Sequence, residues 1–502
     1  MGDGSMGGRF RTWAAIAVAL TTAAALLAGC TSNDHAERSF PSEAAERIDR
    51  IVRPQMRARL APGVLVAVHD PERGTFVTAY GTADLATGRP MDVANHVRIG
   101  SITKTFTATA VLRAADEGRL SLDDVLARYV PGVPNGDVIT LRDLLGMQGG
   151  VWDVREEPAF AEQITAKTPA SEWHEGDRLR AIIAHPERAM PPRNRVEYSN
   201  SEYYLLGLIL EKVYGKPVHR VIDDVVAAHG LRATTYPIDA TMPAPESRGY
   251  AHFDEAATDV TARTTPALAG AAGTMVSTIS DLADYARMLG RGDLLKPETF
   301  RARTQFAGDL RYGLGVMEYG RWIGHSGAVP GYTTHLGYLP ERDVGVVVAV
   351  NEFSSPPLLG VTASIIWFGI VRQLYPGTAP EASVNAEPSP PIPAVAELDG
   401  RLRRTLDPAV PAADKPLRIA DDDKDPELIA RISRVYAPIT TTVVEATEVG
   451  PGQLLGTVVL GSPERRVPAV VPFVARDGSW RIATGWACQT LVTTGESSPA
   501  CP

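Results

Sequence analysis

The chain has 502 residues, more than one ordinary domain accommodates, so its length predicts two folded units. Hydrophobic residues make up 44% and charged residues 22%, the balance of a globular protein with a sizeable core. The net charge of -9 gives no electrostatic reason to bind nucleic acid or an anionic membrane surface, and no nucleic-acid partner is expected.

At the N-terminus, Arg9 and Arg11 precede the apolar run WAAIAVALTTAAALLAGC, which ends at Cys30. A basic flank, a short apolar stretch and small residues at its end predict a secretory signal over residues 1–29 rather than a spanning helix. Leu27-Ala28-Gly29-Cys30 resembles the bacterial lipobox. That resemblance implies lipidation of Cys30 and an exported chain anchored to the outer face of the cell membrane through lipid alone. Residues 30–41 then read as a polar tether.

From about residue 42 a helix-like segment leads to GVLVAVHD and TFVTAYGTADL, two strand-like runs joined by PERG, and so a hairpin. A long middle of helical patterns and Pro/Gly loops follows. Late in this region TTHLGYLP and VGVVVAVNEF form a second strand pair around ERD. PLLGVTASIIWFGIVRQL is continuously apolar, but its uninterrupted core falls short of the ~20 residues a bilayer requires, which predicts a buried helix covering a sheet. Residues 376–393 are proline-rich without periodicity and read as a linker. Beyond it, AVAELDGRLRRTL and DPELIARISRVY are helix-like. TTTVVEATEV, QLLGTVVLGS, RVPAVVPFVA and SWRIATGW are strand-like, which together predict a small α+β domain over 394–502. With Cys30 lipidated, Cys488 and Cys501 remain; an even pair in an exported chain reads as a disulfide, contributing ~3 kcal/mol by loop entropy, with two free thiols as the alternative.

The segment RIGSITKTFTATAVL sets Ser101 three residues before Lys104 at a helix start. Positions i and i+3 share one helix face. A serine hydroxyl is a poor nucleophile until a base takes its proton. Lysine serves as that base only when burial or cationic neighbours depress its pKa from ~10.4. Ile102, Phe106, Ala110 and Leu112 give the helix an apolar side, so burial of Lys104 is expected. By itself the pair is equally compatible with a capping serine and a snorkelling lysine.

Two later elements decide between these. PPRNRVEYSNSEYYLLGLILE carries Tyr198-Ser199-Asn200 in a loop entering an apolar helix, and RWIGHSGAVPGYTTHLGYLP carries His325-Ser326-Gly327 on a strand-like run. With Ser-x-x-Lys, Tyr-x-Asn and His-x-Gly in this order, the sequence resembles the serine beta-lactamase and D,D-peptidase superfamily over roughly residues 45–373, most closely its branch of D,D-carboxypeptidases, class C-like enzymes and esterases. The resemblance implies an α/β (α+β) fold: an antiparallel sheet flanked by helices, with an all-helical subdomain, over 42–375. It implies Ser101 as the acylated nucleophile, Lys104 as its proton partner and Tyr198 as a second acid/base group. Asn200 would bind substrate amide and the lysine. The His325-Ser326-Gly327 strand would flank the substrate, and the N–H groups of Ser101 and Ala328 would form the oxyanion hole. No metal or cofactor is implied.

The pattern departs from the family in places. His325 stands where many members carry lysine, and a neutral imidazole holds a substrate carboxylate less strongly, which weakens the expectation of penicillin hydrolysis. MPPRNRVEYSN and GMQGG also depart from the usual rim sequences. GHSGA at 324–328 only approaches the Gly-x-Ser-x-Gly elbow, because Ala328 fills the second glycine position, and HEGDR at 174–178 lacks the second histidine of a zinc protease. Residues 394–500 resemble the C-terminal domain of mycobacterial low-molecular-weight secreted antigens, which implies a helix-on-sheet domain whose partner is unknown. Taken together, these features predict an envelope-anchored serine hydrolase acting through an acyl-enzyme, with D-alanyl-D-alanine carboxypeptidase activity on peptidoglycan stem peptides as the first reading. A carboxylesterase or transesterase on small esters or amides is the alternative. A lipid-tethered binding protein with a silent hydrolase shell is the non-enzyme reading.

Overall fold

The computed structural model describes residues 39–166, 173–174, 176–353, 361–380, 387–462, 466–492 and 494–501. The expected signal segment, Cys30 and most of the expected tether lie outside them.

Strands β1 (Gly63–Asp70), β2 (Gly74–Asp84), β3 (Arg89–Pro90), β4 (Met317–Tyr319), β5 (Trp322–Val329), β6 (Tyr332–Leu339) and β7 (Val344–Val350) form one antiparallel sheet in the order β3-β2-β1-β7-β6-β5-β4. Both expected hairpins, β1–β2 and β6–β7, are present. They join at the centre, where Val66 lies opposite Val348. The two central strands are apolar along their length because both faces are covered. On one face Leu65, Ala67, Val347 and Ala349 pack against Phe106 of α2 (Thr103–Asp116) and Leu282 and Tyr285 of a later helix, Ile279–Arg291. On the other, Val64, Val66, Val346 and Val348 meet Ile48 and Val52 of α1 (Ser42–Ala58) and Ile366 and Trp367 of the helix Thr362–Leu374. That last helix is the long apolar segment of the sequence, and no described helix is long and apolar enough to cross a membrane.

Helix α2 runs between two cores. Phe106 belongs to the core under the sheet, while Val111 and Leu112 share a second core with Leu144, Tyr203, Leu206 and Ile209, the last three from α3 (Asn200–Tyr214). Every residue of α2 from Thr103 to Leu112 is therefore buried, more than a single apolar side. Its threonines satisfy their hydroxyls on backbone carbonyls: Thr105 Oγ1 donates to Ile102 O, Thr107 Oγ1 to Ala271 O and Thr109 Oγ1 to Thr105 O, each at 2.7 Å.

The C-terminal domain is an antiparallel sheet of β8 (Thr440–Gly450), β9 (Gln453–Gly461), β10 (Arg466–Arg476) and β11 (Ser479–Ile482), paired in that order. Helices Val395–Leu406 and Leu428–Tyr436 cover one face through Leu398, Leu402 and Ile432, packed with Val458, Val471 and Phe473. The other face leans on α1, where Ala58 packs with Leu455 and Val470 and Thr457 Oγ1 donates to Ala58 O at 2.7 Å. SWRIATGW departs from the expected strand. The strand stops at Ile482 and a helix, Thr484–Val492, follows, because Ala487 and Leu491, one turn apart, both bury into the domain core. This helix carries Cys488, which is disulfide-bonded to Cys501.

Candidate active site

Ser101 sits in a tight turn, Gly100–Ile102, between Ile99 and the first residue of α2. Gly100 has φ +53°, and a Cβ there would stand 2.6 Å from Ala328 N. Strand β5 lies flush against the turn: a Cβ on Gly327 would stand 2.1 Å from Ile99 O and 3.0 Å from Ser101 N. Two glycines, one for its positive φ and one for close approach, thus let the strand dock on the nucleophile turn. Thr334 Oγ1 of β6 secures the dock by donating to Ile99 O at 2.8 Å. Ser101 and Ala328 both line the cleft.

One turn after Ser101, at the second residue of α2, Lys104 is fully buried. Its Nζ donates to Ser101 Oγ at 3.1 Å, Asn200 Oδ1 at 2.7 Å and Ala272 O at 2.7 Å. All three acceptors are neutral. Burial and the Arg155 guanidinium push its pKa well below the usual lysine value, and Asp153 opposes them. In the neutral amine two N–H remain, for the Asn200 and Ala272 oxygens, which can only accept; the lone pair then faces the Ser101 hydroxyl, whose bond reverses so that Oγ donates to Nζ. Tyr198 stands beside the pair, its ring centroid 5.0 Å from Lys104 Nζ. Burial raises the phenol's pKa, so Tyr198 is protonated at neutral pH and suited to donating rather than accepting.

Asn200 opens α3 and divides its amide between two partners. Its Oδ1 accepts from Lys104, while its Nδ2 donates to Asp153 Oδ2 at 2.8 Å and its backbone N to the same oxygen at 3.2 Å. A carboxylate accepts only, so Asp153 fixes which end of the amide faces the lysine. Arg155 Nε also donates to Asp153 Oδ2, at 2.9 Å. Asp153, Arg155 and the Ala272 carbonyl were not identified from the sequence. The one available signal was a charged pair, Asp153-Val154-Arg155, beside the unusual GMQGGV rim. Glu202 was also missed. It is fully buried in the first turn of α3, its Oε1 accepts from Val151 N at 3.3 Å, and burial raises its pKa well above the ordinary carboxyl value.

The third motif differs from expectation in two side chains. His325 is 1% exposed. Its Nδ1 lies 2.5 Å from Ser326 O and its Nε2 3.1 Å from Tyr312 OH, an arrangement in which Nδ1–H donates and Nε2 accepts. Burial lowers its pKa to about 3. The imidazole is neutral and spent inside the protein, so it does not hold a substrate carboxylate. Ser326 lies in register with His335, whose ring stacks on Trp367 at 4.2 Å on the far face of the sheet. Alternation along β5 thus sends the Ser326 side chain away from Ser101, while Gly327 faces it. That geometry also removes Ser326 as an elbow nucleophile.

In front of Ser101 lies a cleft of about 300 Å³, walled by Val154, Phe160, Leu268, Val329 and Phe353, with Arg155 and the buried Arg178 as its charged groups.

Residues 48–367, more than half of the chain, match the family model described as Beta-lactamase, and residues 391–498 match that of the low molecular weight antigen MTB12 C-terminal domain. Protein flp of Staphylococcus aureus strain COL is 30% identical over 178 residues, 34% of this chain and 34% of that protein, so the chain spans about a third of the length of that relative. The D-alanyl-D-alanine-carboxypeptidase/endopeptidase AmpH of Escherichia coli K12 is 23% identical over 365 residues, 66% of this chain and 91% of that protein. Among solved structures, a D-stereospecific amidohydrolase from Streptomyces sp. superposes with a TM-score of 0.57 at 28% identity, covering 67% of this chain and 99% of that one. The chain belongs to the beta-lactamase family of serine hydrolases, joined to an MTB12-type C-terminal domain.

Proposed function

We propose that the protein is an exported, lipid-anchored serine hydrolase that cleaves amide bonds of D-amino-acid-containing peptides, with D-alanyl-D-alanine carboxypeptidase chemistry on peptidoglycan stem peptides as the reaction. The observation that carries the reading is Lys104: fully buried, depressed in pKa, and bonded to Ser101 Oγ and two other neutral oxygens. Neutral Lys104 takes the Ser101 proton as Oγ attacks the carbonyl carbon. The tetrahedral oxygen is held by the N–H groups of Ser101 and Ala328. Tyr198 protonates the leaving nitrogen as the C–N bond breaks, and is reprotonated from Lys104. Water then attacks the acyl-Ser101 ester by the reverse sequence of proton transfers.

The names of AmpH and the Streptomyces amidohydrolase support D-configured amide substrates. The basic flank, apolar run and Cys30 support export and a lipid anchor. The partner of the C-terminal domain is unassigned. An esterase is the second reading, favoured by the apolar cleft walls and by a neutral, buried His325 in the third motif.

Intact mass after incubation with benzylpenicillin, beside a Ser101→Ala control, tests the nucleophile. Hydrolysis of D-alanyl-D-alanine peptides against matched esters then separates the two enzymatic readings. An adduct on the wild type only, with faster peptide than ester turnover, is expected. Failure of penicillin, activated esters and fluorophosphonates alike to label Ser101 would leave a silent shell.

A further inference from the structure

We infer that Arg155 is the anion receptor of the cleft, and that the substrate presents a carboxylate to it while an apolar side chain packs against Phe160 and Leu268. This rests on the hydrolase reading and deepens it by naming what the substrate carries.

Three observations converge. His325, the motif residue expected beside the substrate, is buried and neutral and has both ring nitrogens engaged, so it supplies no positive charge. Of the two arginines in the cleft, Arg178 is buried and consumed: its Nη1 donates to Leu268 O at 3.3 Å, its Nη2 to Pro266 O at 2.7 Å, and its guanidinium lies 4.3 Å from the Tyr204 ring centroid. Arg155 is the opposite case. Its side chain is 51% exposed, it lines the same cleft as Ser101, and only Nε is engaged, on Asp153. That single bond orients the guanidinium and leaves Nη1 and Nη2 without a partner among the described residues. Two parallel N–H donors on a planar fork match the two oxygens of a carboxylate. Asp153 offsets the long-range charge but not the directional donors, because its Oδ2 is already shared with Asn200. The cleft walls beside this fork are apolar, which suits a substrate with an aromatic or aliphatic side chain next to its carboxylate.

The test uses the full chain carrying Ser101→Ala, so that binding is read without turnover. N-acetyl-D-phenylalanine and N-acetyl-D-phenylalaninamide differ only in the terminal group, a two-acceptor carboxylate against a neutral carboxamide, and ligand-observed NMR titration gives both affinities. The acid is expected to bind about 10-fold tighter than the amide. Arg155→Gln in the same background brings the ratio close to one, and Arg155→Lys, which keeps the charge without the fork, restores part of it. A ratio near one before substitution, a ratio untouched by Arg155→Gln, or no saturation by either ligand overturns the inference. The hydrolase reading fails separately, through the absence of any acyl adduct on Ser101 in the wild type.

Discussion

Two buried lysines show how differently the two domains use the same chemistry. Lys104 and Lys415 are both withdrawn from solvent, and burial lowers both pKa values. Lys415 donates to Thr405 O at 2.8 Å and Asp407 O at 2.7 Å, carbonyls at and just beyond the end of the helix Val395–Leu406. It closes a helix terminus, an ordinary structural task for a cation. Lys104 draws its partners from residues 101, 200 and 272, three separate segments, and one of them is a hydroxyl at the mouth of a cleft. Burial of a lysine is therefore not a catalytic sign in itself. What distinguishes the two is a partner that has a proton to give and a substrate-sized space in front of it.

Lys104→Met should break the comparison most severely, lowering kcat/KM about 1000-fold by removing the base, with the acid limb of the pH profile lost in steady-state kinetics. The sign of that limb follows from the depressed pKa: as pH falls through it, Lys104 is protonated, its lone pair is gone and the rate drops. Asp153→Asn should cost up to about 100-fold in kcat, because either end of Asn200 is then free to face the lysine. The same change removes the carboxylate that raises the Lys104 pKa, so the acid limb moves to lower pH. Arg155→Gln should act in the opposite direction. Loss of its positive charge raises the Lys104 pKa and moves the acid limb to higher pH, as pH–rate profiles on a neutral ester would record. Tyr198 and His325, which also face Lys104, are uncharged across this range and leave both shifts to Asp153 and Arg155. The smallest effect belongs to Lys415→Met. Two carbonyls lose their donor, at about 1–3 kcal/mol of C-terminal domain stability in urea unfolding, while kcat on any substrate stays at the wild-type value. A fall in kcat with Lys415→Met would show that the C-terminal domain supports the active site across its contact with α1.

Much of the site was legible because its parts are local. Ser101 and Lys104 are one helical turn apart, and Tyr198 and Asn200 bracket the entry to a single helix, so spacing alone carries their relation. The face of β5 was legible too, had alternation been applied: His325 and Gly327 share one side, which puts Ser326 on the other. Asp153 and Arg155 were not, because an Asp-x-Arg pair in a loop looks like any solvated turn until folding sets it against Asn200.

The sequence by itself determined the elements and the chemistry confined to them: the two hairpins, the apolar helix Thr362–Leu374, the four C-terminal strands and the Ser-x-x-Lys and Tyr-x-Asn groups. Hydrophobic period and short-range spacing are properties of contiguous residues, and they survive without a fold. Tertiary structure alone decided that β1 pairs with β7, that His325 turns inward to Tyr312, and that the Ala272 carbonyl completes the lysine's shell. It also decided that one cleft arginine is consumed by backbone carbonyls while the other stays open. Each of these depends on which distant groups share a buried volume, and desolvation and hydrogen-bond satisfaction are settled only when the chain has closed around it.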